Sequence, residues 1–211
     1  MKARAVGPLR HTIQTHARAA YSEAILAASE RLFLRDGYHA TRMIDVAKEA
    51  GVAVGTLYKH FPSKDALFEA LAARGREEAL ELLRRSAELP NPTERLRSMV
   101  VELFAHVERQ NAVFAVLSEL GPLEQVQLSP EMRAGDDRTT HEIIRIVEGV
   151  VADAIAGGQI RADIEPVHLA AMFEGALRGT LLTWLKAGRS YPLSSRAEPL
   201  LSFFFEGASA R

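Results

Sequence analysis

The chain has 211 residues, 47% of them hydrophobic and 25% charged, with a formal net charge of −1. That is the make-up of a globular protein long enough to bury a substantial core, and it excludes a disordered or fibrous chain. The absence of cysteine removes disulfide frameworks, thiolate zinc sites and thiol catalysis. No run approaches the roughly 18 apolar residues of a membrane span. The basic N-terminus is not followed by an apolar block of signal-peptide length, so the chain reads as soluble and cytoplasmic, with no membrane partner. The near-neutral total hides an asymmetry. Residues 1–64 carry 10 Lys/Arg against 5 Asp/Glu, and the remainder 16 against 22. A basic front on an acidic body points to a polyanion partner at one end only.

Nearly every periodic stretch repeats at helical spacing and none alternates as a strand does. Ser22 is a candidate cap for a first helix with an apolar stripe of Ile25, Ala28, Leu32 and Phe33, ended by Asp36-Gly37. Thr41 is the expected N-cap of a short second helix burying Ile44, Ala47 and Ala50, which Gly51 closes; a third helix begins after Val52. Pro62-Ser63 interrupts, with Ser63 placed to cap a fourth helix that carries Asp65 in its first turn and runs to about Glu88. Asn91 followed by Pro92 is a strong start signal for a fifth, with Leu96, Met99, Val100, Leu103, Phe104 and Val107 on one face.

A short helix over Val113–Leu120 comes next, and Leu123–Gly135 reads as loop. From about Asp137 a long helix buries Ile143, Ile144, Val147, Val151 and Ile155 and stops at Gly157-Gly158. Pro166 opens another reaching Lys186, and the last lies between Ser194 and Glu206. The fold expected is all-α, with about nine helices. A basic arm (residues 1–20) precedes a three-helix unit (21–68) and a larger helical domain (69–211).

The second and third helices, joined by a glycine-containing turn, form a helix-turn-helix, whose second helix enters the major groove of DNA. At 100° per residue Leu57 and Phe61 share a core wall with Val54 near them, while Gly55 and Lys59 point away, flanked by Thr56 and Tyr58, with His60 at the margin. The outward residues suit a duplex. Gly55 lets the backbone approach closely, Thr56 and Tyr58 can donate to phosphates, and Lys59 can reach a phosphate or guanine. Thr41 and Arg42 open the second helix, and Lys64 lies in the first turn of the fourth, where an anion is favoured.

The stretch "ILAASERLFLRDGYHATRMIDVAKEAGVAVGTLYKHFPSKDALFEAL" (Ile25–Leu71) resembles the DNA-binding domain of the TetR/AcrR family of bacterial transcriptional regulators. The resemblance rests on Gly37-Tyr38, Thr41, Ile44, Val46-Ala47, Ala50-Gly51-Val52, Gly55-Thr56-Leu57-Tyr58, Phe61 and Ser63-Lys64. It implies a homodimer that binds palindromic double-stranded operator DNA and usually represses transcription until a small molecule binds the C-terminal domain, with no cofactor. By position it implies backbone contacts from Thr41 and Arg42, an operator-facing set of Val54, Gly55, Thr56, Tyr58, Lys59 and His60, and a phosphate held by Lys64. One departure is Ala53, where the family often has serine: a missing cap costs roughly 0.5–2 kcal/mol. The acid-free front, with Lys2, Arg4, Arg10 and Arg18 before Glu23, is a second, weaker candidate for DNA contact.

In the larger domain the small residues Ala171, Gly175 and Gly179 recur every four positions, and the final helix holds Leu200, Leu201, Phe203, Phe204 and Phe205. Two such helices are expected to pair with their symmetry mates in a four-helix dimer interface. Candidates to line an effector pocket are Met99, Leu103, Phe104, Val107, Phe114, Leu117, Ile144, Val147, Phe173, Leu177 and Trp184, with His106 placed to orient a polar group or to bond within the core. Their apolar character favours a lipophilic effector. Two other readings stand beside this one: an activator or partner-regulated DNA-binding protein, and a small helical enzyme or metal protein built on Asp136, Asp137, His141 and Glu142. Against an enzyme, there is no phosphate loop and no nucleophile or carboxylate pair in a motif-quality setting.

Overall fold

A computed structural model describes residues 7–109, 111–120 and 129–208. Lys2 and Arg4 of the basic front, and residues 123–128 of the expected loop, lie outside them. Every regular element among the described residues is a helix, with no strand, and the chain divides into two compact units, Met1–Leu71 and Ala72–Arg211. None of the helices is long and apolar enough to cross a membrane.

The first unit contains α1 (Gly7–Asp36), α2 (Met43–Glu49), α3 (Val54–His60) and the start of α4 (Lys64–Ser86). Its core is the expected stripe of Ile25, Ala28, Leu32 and Phe33, joined by Val46, Ala47, Leu57, Phe61, Leu67 and Phe68. The left-handed backbone at Gly37 (φ 84°) and Gly51 (φ 67°) turns the chain after α1 and α2, a conformation that side-chain-bearing residues adopt only at a cost. Three details differ from the sequence expectation. First, α1 begins at Gly7, so Ser22 lies within a helix; the preceding residues are rich in alanine and arginine, which favour helix without any apolar stripe to announce it. Second, the N-cap of α2 is Arg42, not Thr41. Third, Ile44 is 57% exposed, and Val46 takes the buried place beside Ala47.

The second unit contains the rest of α4, then α5 (Pro92–Arg109), α6 (Asn111–Leu120), α7 (Pro130–Ala156), α8 (Pro166–Lys186), a 3-10 turn (Leu193–Arg196) and α9 (Ala197–Ala208). Asn91 caps α5 through its side-chain oxygen, which accepts from the amides of Thr93 (2.9 Å) and Glu94 (3.3 Å). Helix α7 starts seven residues before its expected position, because Ser129 accepts from the Met132 amide (3.1 Å) and Pro130 fills the first turn. Helices α7 and α8 make the most extensive pairing. Around them Leu96, Met99, Val100, Phe104, Val147, Val151, Phe173, Leu193 and Leu201 form the core. Leu200, Leu201 and Phe204, expected at a dimer interface, are buried inside this single chain, with the Phe204 ring 4.9 Å from that of Phe173.

Candidate nucleic-acid interface and ligand cavity

Helix α3 is seven residues long and anchored by one fully buried residue, Leu57, with Phe61 buried just past its end. Its opposite side is open. Val54, Gly55, Tyr58 and Lys59 are exposed, Tyr58 by 49%, and Thr56 and His60 are half-buried. Val54 therefore belongs to the outer face and not to the core wall. Nothing lies within 4 Å of the position a Cβ would take on Gly55, so that stretch of backbone is bare. The His60 ring stands edge-on to Tyr21 of α1, with centroids 6.3 Å apart. Ala53 precedes the helix with no side-chain cap.

Two of the expected backbone contacts have internal roles instead. Thr41 is buried, and its hydroxyl donates to the Gly37 carbonyl (2.7 Å). The Lys64 ammonium donates to the carbonyls of Tyr38 (2.6 Å), His39 (3.1 Å) and Thr41 (3.1 Å) and sits 4.5 Å from the centre of the Tyr38 ring. Lysine has three ammonium donors, and three carbonyls receive them. Lys64 thus closes the α1–α2 turn. Tyr38 completes this knot: it packs on Phe33 and Phe68, and its hydroxyl donates to Asp65. Burial, then the bond to Asp65, pushes its pKa upward. Arg42 is exposed and grips Asp45 through two bonds (2.7 and 3.1 Å), which raise the arginine's pKa and lower that of the carboxylate. An exposed pair of this kind is weakened by solvent screening, so a phosphate can compete for the guanidinium. Ile44, whose apolar character assigns it to the core, is exposed as well.

The second unit holds a cavity of about 380 Å³. Of the residues expected there, Leu103, Phe104, His106, Val107, Phe114, Leu117 and Leu177 line it. Met99, Val147 and Phe173 are sealed in the core, Ile144 packs against that core, and none of them lines the cavity. Trp184 also stays behind the wall, donating to the Tyr191 carbonyl (2.8 Å) with its ring edge-on to Phe114. His106 donates through Nε2 to the Gly75 carbonyl (3.1 Å).

The sequence reading missed the polar side of the cavity, formed by Arg76, Asp136, Thr139, Glu174 and Arg178. Arg178 donates to Glu174 (2.9 Å), Asp136 (3.0 Å) and Thr140, tying α8 to α7. Burial lowers its pKa, but the bonds to Glu174 and Asp136 outweigh that and raise it. Glu174 and Arg178, i and i+4 on α8, offered a charge-pairing signal that apolar periodicity overlooks. The enzyme or metal reading loses its cluster. Asp136 is taken by Arg178, Glu142 by Arg84 and Arg145, and the His141 ring bonds the Asp137 main-chain carbonyl. Among the described residues no group of three His, Cys, Asp or Glu is arranged to hold a metal.

A short outward-facing helix held by Leu57 and Phe61, preceded by a second helix across a glycine turn, defines a helix-turn-helix DNA-binding protein. Comparison with known proteins agrees. Residues 25–71 match the family model for bacterial regulatory proteins of the tetR family. The chain is 27% identical over 210 residues to the transcriptional repressor BepR of Brucella suis, covering 93% of this chain and 96% of the relative. It is 24% identical over 191 residues to the fatty acid metabolism regulator protein of Bacillus subtilis, covering 90% and 96%. The crystal structure of FadR from Bacillus subtilis in complex with stearoyl-CoA superposes with a TM-score of 0.69 at 22% identity, covering 88% of this chain and 98% of that one. Residues 25–71 thus carry the DNA-binding domain of the tetR family of bacterial regulatory proteins, and the chain is similar to transcriptional regulators over most of its length.

Proposed function

We propose that this regulator is a repressor that binds a two-fold symmetric operator as a homodimer and releases it when a small lipophilic effector fills the cavity of the second unit. The observation that carries the reading is the division of labour in sequence and space. The face of α3 bearing Gly55, Tyr58 and Lys59 is exposed among the described residues, while the second unit holds a largely apolar cavity. A repressor needs both, because an effector shifts DNA affinity only by binding the DNA-free form more tightly. The cavity volume lies near the lower end of the roughly 300–1,000 Å³ typical of small-molecule sites, which suits a compact apolar ligand or a single chain.

The dimer reading rests on α8 and α9. Ala171, Gly175 and Gly179 are exposed in one line, with nothing near the missing side chains of the glycines. Met172 beside them is 59% exposed and Phe203 on α9 is 77% exposed. Small residues permit close helix approach, and the two large apolar side chains gain most from being covered. Similarity to a repressor of that name and to a regulator solved with an acyl thioester supports the repressor and lipophilic-effector parts. Selection of bound sequences from random duplex DNA is the deciding experiment. Recovery of a palindromic site, with binding weakened by apolar effectors, is expected, and failure to enrich any sequence would overturn the proposal.

A further inference from the structure

Two arginines of the second unit, Arg76 on α4 and Arg138 on α7, make no hydrogen bond or ion pair among the described residues. Both line a polar groove of about 590 Å³, and Arg76 and Thr139 are shared with the apolar cavity. The groove is electropositive. Its two carboxylates, Glu77 and Glu142, are already bonded by Arg84, and Glu142 also by Arg145. Of the groove's own lining, three guanidinium groups (Arg76, Arg138 and Arg145) stand against two carboxylates (Glu77 and Glu142). The acids of the apolar cavity are engaged as well, since Asp136 and Glu174 both accept from Arg178. That leaves Arg76 as the cavity's uncommitted charge.

The guanidinium lies against the bare backbone of Gly135 on α7. A Cβ on Gly135 would lie 2.7 Å from a terminal nitrogen of Arg76, so any larger residue there would make the guanidinium shift. Burial lowers the pKa of Arg76, partly offset by Asp136, yet a guanidinium stays charged at any pH the protein survives. A half-buried cation with no hydrogen-bonded acid is costly, and a bidentate carboxylate or phosphate is the ligand that relieves it.

We infer that the effector is an anionic single-chain amphiphile whose tail lies in the apolar cavity and whose carboxylate or phosphate is held by Arg76, with Arg138 beside it. This rests on the cavity being the effector site. Two sources share that chemistry, a free fatty acid and an acyl ester of a phosphate-bearing carrier.

The test uses the full-length protein and the chain's one tryptophan, Trp184, whose ring packs against the cavity-lining Phe114. Its emission is titrated with dodecanoate, dodecanoyl-CoA and 1-dodecanol, with calorimetry as a second readout. Wild type is expected to bind at least one anionic probe ten-fold or more tighter than the alcohol, and the stronger of the two identifies the source. Arg76→Gln should abolish that preference without changing alcohol affinity, and Arg76→Lys should keep part of it; circular dichroism melts check that both variants fold. Equal affinity for alcohol and anions, or an anion preference that survives Arg76→Gln, overturns the head-group assignment while leaving the cavity as the effector site. No binding of any probe overturns both.

Discussion

At the scale of the residue, Lys64 and Tyr58 separate two roles that look alike in the sequence. Both are hydrogen-bonding side chains around the recognition helix, but the Lys64 ammonium is shared among three carbonyls of its own unit, whereas Tyr58 is half exposed on α3. Hydrogen bonds to a charged group contribute about 1.5–3 kcal/mol each way they are tested. Lys64→Ala should therefore destabilise the protein by about that much in thermal or urea unfolding, with the salt dependence of DNA binding by the folded fraction unchanged. Loss of one phosphate equivalent from the salt slope would instead restore Lys64 to the DNA surface. Tyr58→Ala should do the reverse, leaving stability within about 0.5 kcal/mol and lowering operator affinity at least ten-fold, about 1.4 kcal/mol. The outward wall of α3 was legible because helical geometry alone sorts Leu57 and Phe61 from Gly55, Tyr58 and Lys59. Lys64, Thr41 and Ile44 were misread for a common reason: residue type tells what a side chain can do, not which neighbour reaches it first.

Helix boundaries were legible where a cap leads directly into an apolar stripe, and hidden where a cap, as at Ser129 of α7, is followed by polar turns. Asn91 with Pro92 and Ser63 ahead of α4 stand where the pattern expects them, with Ser63 accepting from the Ala66 amide (3.1 Å). The early start of α7 was hidden because among residues 130–136 only Gly135 is buried, so no apolar stripe announces the helix. Ala53 is the converse, a boundary with its cap missing. A serine oxygen there would accept from an amide of the first turn of α3, so Ala53→Ser should raise unfolding stability by about 1 kcal/mol, read as a higher denaturant midpoint at unchanged slope. Between elements, Glu142 of α7 bonds Arg145 of its own helix and Arg84 of α4. The bond to Arg145, opposed by desolvation and aided by Arg84, brings its pKa from the ordinary 4.5 down to about 2. A carboxylate depressed on folding stabilises the native state above its unfolded pKa, and that contribution fades as pH falls toward its folded pKa. Wild type should therefore be more stable than Glu142→Gln near neutral pH. The gap should narrow between about pH 4.5 and 2, measured as melting temperature against pH; a gap independent of pH would mean the pair contributes nothing through its charge.

On the scale of the whole molecule, the sequence shows that the C-terminal helices hold more apolar residues than a surface helix should, but not which of them the chain buries for itself. Leu200, Leu201 and Phe204 have internal partners; Phe203, on the same helix, is 77% exposed. Consecutive residues of a helix point about 100° apart, so one helix serves a core and a surface at once. In the same way the cavity's apolar lining could be listed from the sequence, while the pairing of Arg178 with Asp136, 42 positions away, required the fold. If the exposed face of α8 and α9 is the dimer contact, Phe203 meets a copy of the same surface, because a two-fold interface is self-complementary. Phe203→Glu then places two carboxylates near the axis where two rings had been, and like charges brought together in an apolar contact repel strongly. The variant should keep the melting transition of a folded chain, since Phe203 lies outside its core, yet sediment as a monomer at micromolar concentration. Its affinity for a palindromic operator should fall toward that for a single half-site, because the advantage of tethering two recognition helices disappears. A Phe203→Glu protein that remains dimeric and grips the full operator as wild type does would place the symmetry axis on another face.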